Sequence, residues 1–306
     1  LSGYSLGDRL LMQGTLRRSW QMLEDIASLV RDEVVVVGLP IEHRNTLYNV
    51  AAVVANGQIC GLVPKENLAT GDVEYESRWY ASWLSSRVEM YRTLDGREIP
   101  MGGLVFEANG IGRFAIEVCE DGWKGIRPGS RYALAGATIL LNPSASWFTI
   151  GKQRTRRHMI EQTSREDICA YLYTSLMGCD STRLIFDGAS FIAVNGQIAE
   201  EGRRFVFTDD VTVTTSIIDV SALERARLEM GSWRQQSEQL NHGIYGDLPP
   251  IVHIDGVFES NVEPPAMYPY WQNAPEPSLD PSLEHHVASG LIPQITWQDL
   301  PHLELE

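Results

Sequence analysis

Cys119 ends an apolar run, Phe114-Ala115-Ile116-Glu117-Val118, and is followed at once by Glu120-Asp121-Gly122-Trp123. The run reads as a buried strand, and the acidic pair with its glycine as the loop or helix start beyond it. Open α/β sheets place their chemistry just outside the carboxyl ends of strands. A thiol held there beside helix-starting amides can ionise to the thiolate, the form that attacks carbon. The same position also suits a small core residue, because free cysteine is among the most buried side chains. Lys65 stands at the end of another apolar run, Gln58 to Val63, and Glu76 follows eleven residues later among Tyr75, Trp79, Tyr80 and Trp83. A lysine buried alone is costly, and Glu76 can supply its partner. Equally, Lys65 fits as a solvated strand end, and Glu74 and Glu76 as surface acids on an aromatic-rich loop.

Amide hydrolysis needs a nucleophile, a proton carrier and a positive or hydrogen-bonding environment for the oxyanion. A cysteine–histidine pair is the rival arrangement. None of the seven histidines falls in a strand-end segment near Cys119; His158 lies in a polar helix and His43 just after a strand. The histidines show no HExxH spacing, and Cys60, Cys119, Cys169 and Cys179 form no CxxC pair, so no metal is expected. Four irregularly spaced cysteines fit a reducing, cytoplasmic compartment.

Four motifs carry a resemblance. Val118-Cys119-Glu120-Asp121-Gly122-Trp123 resembles the nucleophile motif of the nitrilase (carbon–nitrogen hydrolase) superfamily. Gly61-Leu62-Val63-Pro64-Lys65, with Glu76-Ser77-Arg78-Trp79-Tyr80, resembles its lysine motif and downstream glutamate. Asn142-Pro143-Ser144-Ala145-Ser146 resembles the strand end after the nucleophile, and Gly178 to Gly188 narrows the likeness to the glutaminase domain of glutamine-dependent NAD synthetases. The four occur in the family's order over about residues 1–225.

The resemblance implies an α/β fold, an α-β-β-α sandwich of two mixed sheets with helices outside. It implies that Cys119 attacks the side-chain amide of glutamine and forms a thioester. Lys65 then stabilises the developing negative oxygen, and Glu76 orients the lysine and substrate. Tyr4, Trp123, Ser146 and Lys152 resemble substrate-pocket positions, each of which fits loop packing or solvation as well. The family's general-base glutamate stands on the strand leading into Leu1-Ser2-Gly3-Tyr4, so the expectation is a domain lacking that strand and inactive as it stands. No cofactor is expected in this domain. ATP and Mg are expected only in a synthetase half, whose SGGxDS-type pyrophosphate loop is not found in these residues. Glutamine, the synthetase domain and a second copy of the chain are the expected partners. Two other readings remain: an amidase for another small amide, and a catalytically dead nitrilase-fold scaffold.

Composition narrows the classes further. A formal net charge of -15 over 306 residues argues against nucleic acid and anionic membranes as partners. No apolar run is long enough to span a membrane. Hydrophobic residues are 43% of the chain, enough for a sizeable core.

The elements that must position these residues follow from periodicity. Residues 13–30 read as an amphipathic helix through Leu16, Trp20, Leu23, Ala27 and Val30, and Val34 to Pro40 as a buried strand. Asn56-Gly57, Asn109-Gly110 and Asn195-Gly196 each mark a hairpin. The first hairpin delivers Lys65 and the second Cys119. Helices are expected over 129–135, 153–167 and 221–230. Strands are expected over 137–141 and 170–176, through Phe186 to Val194, and over 205–207 and 211–220. Ten of the fifteen prolines lie between Pro249 and Pro301. Residues 1–230 are therefore expected as the hydrolase domain and 231–306 as a Pro-rich acidic connector.

Overall fold

The computed structural model describes residues 4–71, 73–85, 87–180, 184–208 and 211–258, with the side chains of Tyr4, Ser5 and Val257 outside that description. After a 3-10 helix, Tyr4–Leu11, come α1 (Gln13–Ala27), β1 (Val34–His43), β2 (Thr46–Ala55) and β3 (Gln58–Pro64). A short 3-10 turn, Glu76–Arg78, precedes β4 (Val88–Arg92), β5 (Glu98–Gly102), β6 (Val105–Asn109) and β7 (Gly112–Ile116). A second 3-10 turn, Cys119–Trp123, leads to α2 (Pro128–Leu134), β8 (Ile139–Ser144), α3 (Lys152–Glu166) and β9 (Ala170–Ser175). The rest are β10 (Met177–Cys179), β11 (Ile185–Asp187), β12 (Ser190–Val194), β13 (Gln197–Glu201), α4 (Val220–Glu229), α5 (Gly231–Asn241) and β14 (Ile251–Val257).

The strands form two mixed sheets, in the orders β1-β2-β3-β5-β4 and β13-β12-β9-β8-β7-β6-β14, and a small β10-β11 pair. Period-two alternation explains how they stack. In β2, Ala51, Val53 and Ala55 face Phe106, Phe114, Ile116 and Ile254 of the other sheet, making the inter-sheet core. The alternate residues Val50, Ala52 and Val54 face the opposite way and pack with Leu23 and Ala27 of α1. The outer face of the larger sheet, through Ala115, Leu140, Tyr171 and Phe191, packs on Tyr132, Ile160, Leu223 and Trp233 of the helices. The layers are thus helix, sheet, sheet, helices, as the resemblance implies.

Asn56 and Gly57 both take positive φ, 48° and 77°, the turn that matches the twist of a two-residue hairpin. It sets the β2–β3 register that runs from Ala55↔Gln58 to Val50↔Pro64 and so fixes where Lys65 emerges. Strands β7, β8 and β9 run parallel, so the carboxyl ends of the last two and the segment after β7 share one rim.

Two expectations need correction. Residues 205–207 and 211–219 form no ladder: Phe205 takes a left-handed φ of 58°, and Val211 and Val213 stay exposed, so β propensity there has no burial to draw on. The boundary expected at residue 230 falls later, because the compact unit that holds the two sheets continues beyond it. Helix α5 buries Trp233 and Leu240, and β14 lies parallel to β6, with Ile254 in the inter-sheet core. The proline count around this segment hid the apolar run Ile251-Val252-His253-Ile254. The expectations for Leu1–Gly3, Ser181–Arg183 and most of the connector lie outside the described residues. Among the described residues no helix is long and apolar enough to cross a membrane.

Candidate active site

Cys119 sits where β7 gives out. Glu117 still bonds to the parallel neighbour β8 through Leu141 O at 3.0 Å, and Val118 is extended. Cys119 then takes φ 52°, a left-handed conformation that a non-glycine residue adopts at a cost of about 1–3 kcal/mol. The surroundings hold it there. The carboxyl of Asp121 accepts the Val118 amide at 3.0 Å, while the Asp121 amide donates back to Val118 O at 3.1 Å. Asn142 Nδ2, at 3.4 Å, donates to the Cys119 carbonyl and, at 2.9 Å, to Tyr171 Oη. Tyr171 in turn donates to Glu117 Oε1 at 2.6 Å, and the Gly129 amide at the head of α2 donates to Glu117 Oε2 at 3.0 Å. Burial pushes the Glu117 carboxyl up, against the pull of Arg127 and the Tyr171 hydrogen bond. Arg127 also pairs with Asp167, closing a buried network beneath the cysteine turn. The thiol itself is half-exposed.

Lys65 follows β3. Its amide donates to Asn49 O at 2.8 Å and its carbonyl accepts from Trp83, so its backbone is fixed at both ends. Its ammonium lies 2.5 Å from Glu76 Oε2, with the two side chains 0% and 1% exposed. Glu76 is held in turn: its amide donates to Ala69 O, Oε2 also accepts from the Ala69 amide at 2.6 Å, and Oε1 accepts from Asn49 Nδ2 at 3.4 Å. Burial alone lowers the lysine, but the charges of Cys119, Glu76 and Asp121 outweigh it and leave the ammonium above its ordinary value. Lys65 is therefore a fixed positive charge.

Asp121 joins the two loops. Besides Val118 it accepts the Asn67 amide at 2.7 Å and Asn67 Nδ2 at 2.8 Å, stapling the stretch after Lys65 to the cysteine turn. Burial pushes its carboxyl up to about 7, opposed by those hydrogen bonds and by Lys65.

A cavity of about 200 Å³ opens on this group, lined by Gly38, Asn49, Glu76, Tyr80, Cys119 and Ser144 among others. Beyond β8, Lys152, the first residue of α3, sets its ammonium 4.5 Å from the ring centre of Trp147, whose Nε1 donates to Glu74 Oε1 at 2.5 Å. Burial and then Arg156 lower Lys152, while Glu74, Cys119 and Glu120 pull the other way. Arg156 and Asp187 form a fully buried ion pair, and Arg156 Nη2 donates to the carbonyls of Ser146 and Trp147 at 3.1 Å each. That brace sets the wall after β8.

Of the residues singled out in the sequence, Cys119 and Glu76 line the cavity and Lys65 is buried against Glu76, while Lys152 is not among the lining residues. Ser146 is buried with its backbone tied to Arg156 and Ser175, and its neighbour Ala145 lines the cavity instead. Trp123 is half-buried at the end of its turn and is not among the lining residues. The Tyr4 side chain lies outside the described residues. Sequence reasoning missed Asn49, Asn142, Tyr80 and the stapling role of Asp121. For Asp121 a signal was present: an acid two residues after a strand-end cysteine is placed to cap the turn it starts. For Asn49 and Asn142 the signal was a lone amide inside an apolar strand.

No family model matches the chain. A glutamine-dependent NAD(+) synthetase of Mycobacterium tuberculosis (strain H37Rv) is 35% identical over 239 residues, covering 76% of this chain and 35% of the relative. The crystal structure of a glutamine-dependent NAD(+) synthetase from Cytophaga hutchinsonii superposes with a TM-score of 0.64 at 29% identity, covering 70% of this chain and 35% of that one. A carbon–nitrogen hydrolase from Helicobacter pylori G27 shares the fold, with a TM-score of 0.56 at 17% identity over 78% of each chain. The chain spans about a third of the length of the synthetases it matches. The chain is thus similar in sequence to a stretch of the glutamine-dependent NAD(+) synthetases and shares the fold of the carbon–nitrogen hydrolase.

Proposed function

We propose that this chain is a glutaminase: Cys119 hydrolyses the side-chain amide of glutamine, and the ammonia released serves NAD synthesis. The observation that carries the reading is the buried Lys65–Glu76 pair held beside a left-handed, half-exposed cysteine. The thiolate attacks the carboxamide carbon. The carbonyl electron pair moves to oxygen, opposite the Lys65 ammonium and the free amides that open the Cys119–Trp123 turn. The C–N bond then breaks, nitrogen takes a proton and leaves as ammonia, and a thioester remains. Water adds to the thioester and releases glutamate and the thiolate. Both oxygens of Glu76 are committed to Lys65, Ala69 and Asn49, so Glu76 holds the lysine, and the proton is assigned to a carboxylate other than Glu76.

Lys152, which feels the charge of Cys119, supplies positive charge for the α-carboxylate of the substrate, which a simple aliphatic amide lacks. ATP- and magnesium-dependent amidation is assigned to a synthetase part of the protein, since these residues carry no SGGxDS-type loop. The test is labelling and turnover in the full-length protein. A glutamine-analogue electrophile should modify Cys119, and Cys119→Ala should abolish ammonia release while free ammonia still drives synthesis. Glutamine hydrolysis that persists in Cys119→Ala rules the assignment out.

A further inference from the structure

Lys65 and Cys119 come from different sheets. Lys65 follows β3 and is tied to β2 through Asn49 O, whereas Cys119 follows β7 and its carbonyl is held by Asn142 of β8. The sheets meet through an apolar core, which is non-directional and does not by itself fix one strand end against another. Directional bonds do that, and several gather on one buried carboxyl. Oδ2 of Asp121 accepts from the amide of Val118, the residue before Cys119, at 3.0 Å, and from the amide of Glu66, the residue after Lys65, at 3.4 Å. Oδ1 accepts from the Asn67 amide at 2.7 Å and from Asn67 Nδ2 at 2.8 Å. Asp121 is 1% exposed, so these bonds are sheltered from water. Four N–H groups thus converge on two oxygens, a set that only an ionised carboxylate accepts in full.

We infer that Asp121 is a positioning residue for the reaction: through Glu66 and Val118 it fixes where the Lys65 ammonium stands relative to the Cys119 sulfur. The inference rests on the reading of Cys119 as the nucleophile and Lys65 as the charge that favours its thiolate. Asp121 acts one peptide unit away from each, on the backbone. Of the charges that raise Lys65, that of Cys119 is the largest, so a shift of one against the other is felt by both. A misplacement of about 1 Å between groups that act together costs about a hundredfold in rate. Asp121→Asn keeps the volume, but its carboxamide offers one oxygen to the four donors and adds an NH2 group of its own. Glu66 keeps the lysine loop seated in that variant. Its carboxylate accepts from Ser85 Oγ at 2.5 Å and from Arg131 Nη2 and Tyr132 Oη of α2 at 3.3 Å each. The staple loosens while the loop stays folded.

The experiment is a double-mutant cycle in the full-length protein at pH 8, above the value of about 7 to which burial pushes the Asp121 carboxyl. Wild type, Asp121→Asn, Lys65→Met and the double variant are compared by the rate of Cys119 alkylation with iodoacetamide. The first two are also compared by steady-state kinetics on glutamine. The expected kcat of Asp121→Asn is about a hundredfold lower, with KM changed little. Its alkylation rate should fall about tenfold against wild type and less than about twofold in the Lys65→Met background, because the loss runs through the lysine. A merely structural role lowers alkylation by the same factor in both backgrounds, and that result overturns the inference. So does an alkylation rate unchanged from wild type, or a kcat within about threefold of it. If Asp121→Asn does not fold, Asn67→Ala takes its place in the cycle. It removes one donor and leaves the backbone amides, so a kcat loss of about tenfold is expected, and the same results overturn the inference. If the wild type releases no ammonia from glutamine, the glutaminase reading falls and the alkylation cycle alone decides the role of Asp121.

Discussion

Glu76→Gln keeps the shape of the site and removes one charge. Lys65 then stays buried, with its backbone pinned to Asn49 and Trp83 and no route to water. Removing one partner of a buried pair costs about 3–5 kcal/mol, most of it the penalty of the charge left behind. Hydrogen bonding adds to this. Three donors converge on Glu76, from Lys65, Ala69 and Asn49, and a glutamine amide offers one acceptor oxygen and an NH2 group of its own. At least one donor therefore meets another donor.

The pH dependence of this loss has a definite sign. In the wild type the lysine lies above its ordinary 10.5, so its contribution is fully present below that value and is lost as pH rises through the folded one. In the variant the charge and the hydrogen bond of Glu76 are gone, and burial pulls the lysine down. A lysine lowered in the fold destabilises at neutral pH, and the penalty fades as pH climbs toward 10.5. The stability gap between the two proteins is thus widest near neutrality and narrows toward pH 10. Urea unfolding of both proteins at pH 7 and pH 10 measures it, with ammonia release as the companion assay. That rate should fall about a hundred- to a thousandfold as the lysine loses its charge or its aim. A gap under about 1 kcal/mol at pH 7, against the 3–5 expected for a broken buried pair, refutes the account. So does a gap of equal size at both pH values.

Asp121 gives a second pH signature of opposite origin. Its carboxyl is pushed from 3.8 to about 7, so the fold holds a proton that the unfolded chain has released, and stability owed to this group falls as pH rises from about 4 to about 7. Roughly three units at about 1.4 kcal/mol each set a ceiling on the order of 4 kcal/mol. Asp121→Asn should remove that slope, and parallel stability curves for the two proteins over this range would contradict it. Lys152→Met should raise KM for glutamine about ten- to a hundredfold, the worth of a charge-assisted hydrogen bond, with kcat nearly kept. A KM unchanged in steady-state kinetics would remove Lys152 from the substrate site.

What the sequence disclosed was local. Hairpin turns were legible because an Asn-Gly dipeptide carries its own signal: its glycine takes positive φ in all three, its asparagine in Asn56-Gly57 and Asn195-Gly196, and the three placed Lys65, Cys119 and the β12–β13 pair. The amphipathic stripe of α1 was legible because its buried residues recur within one element. What stayed hidden depended on partners far along the chain. Asp121 reaches back 54 residues to Asn67, Tyr171 reaches 54 to Glu117, and Arg156 reaches 31 to Asp187. A polar residue inside a strand reads the same whether it meets water or a buried partner. Strand β14 was hidden for the reverse reason: prolines near it outweighed a short apolar run that finds its place beside β6.

The hidden contacts also explain why the legible ones work. A cysteine at a strand end is ordinary; one held at φ 52° and half-exposed needs its surroundings to over-determine it. Asn142 fixes its carbonyl, Asp121 fixes the amide before it, and Glu117 with Tyr171 fixes Asn142. None of these groups touches a substrate by any geometry seen here, yet each holds a buried polar atom whose loss leaves another unsatisfied. Arg127 and Asp167 anchor that chain to α2 and α3. Cys119 is thus only as well placed as a network of charges whose own burial is unfavourable, and the apolar packing on both faces of the larger sheet has to offset it. It follows that substitutions at Glu117, Asn142 or Tyr171 act on catalysis through the cysteine's backbone, without entering the cavity themselves.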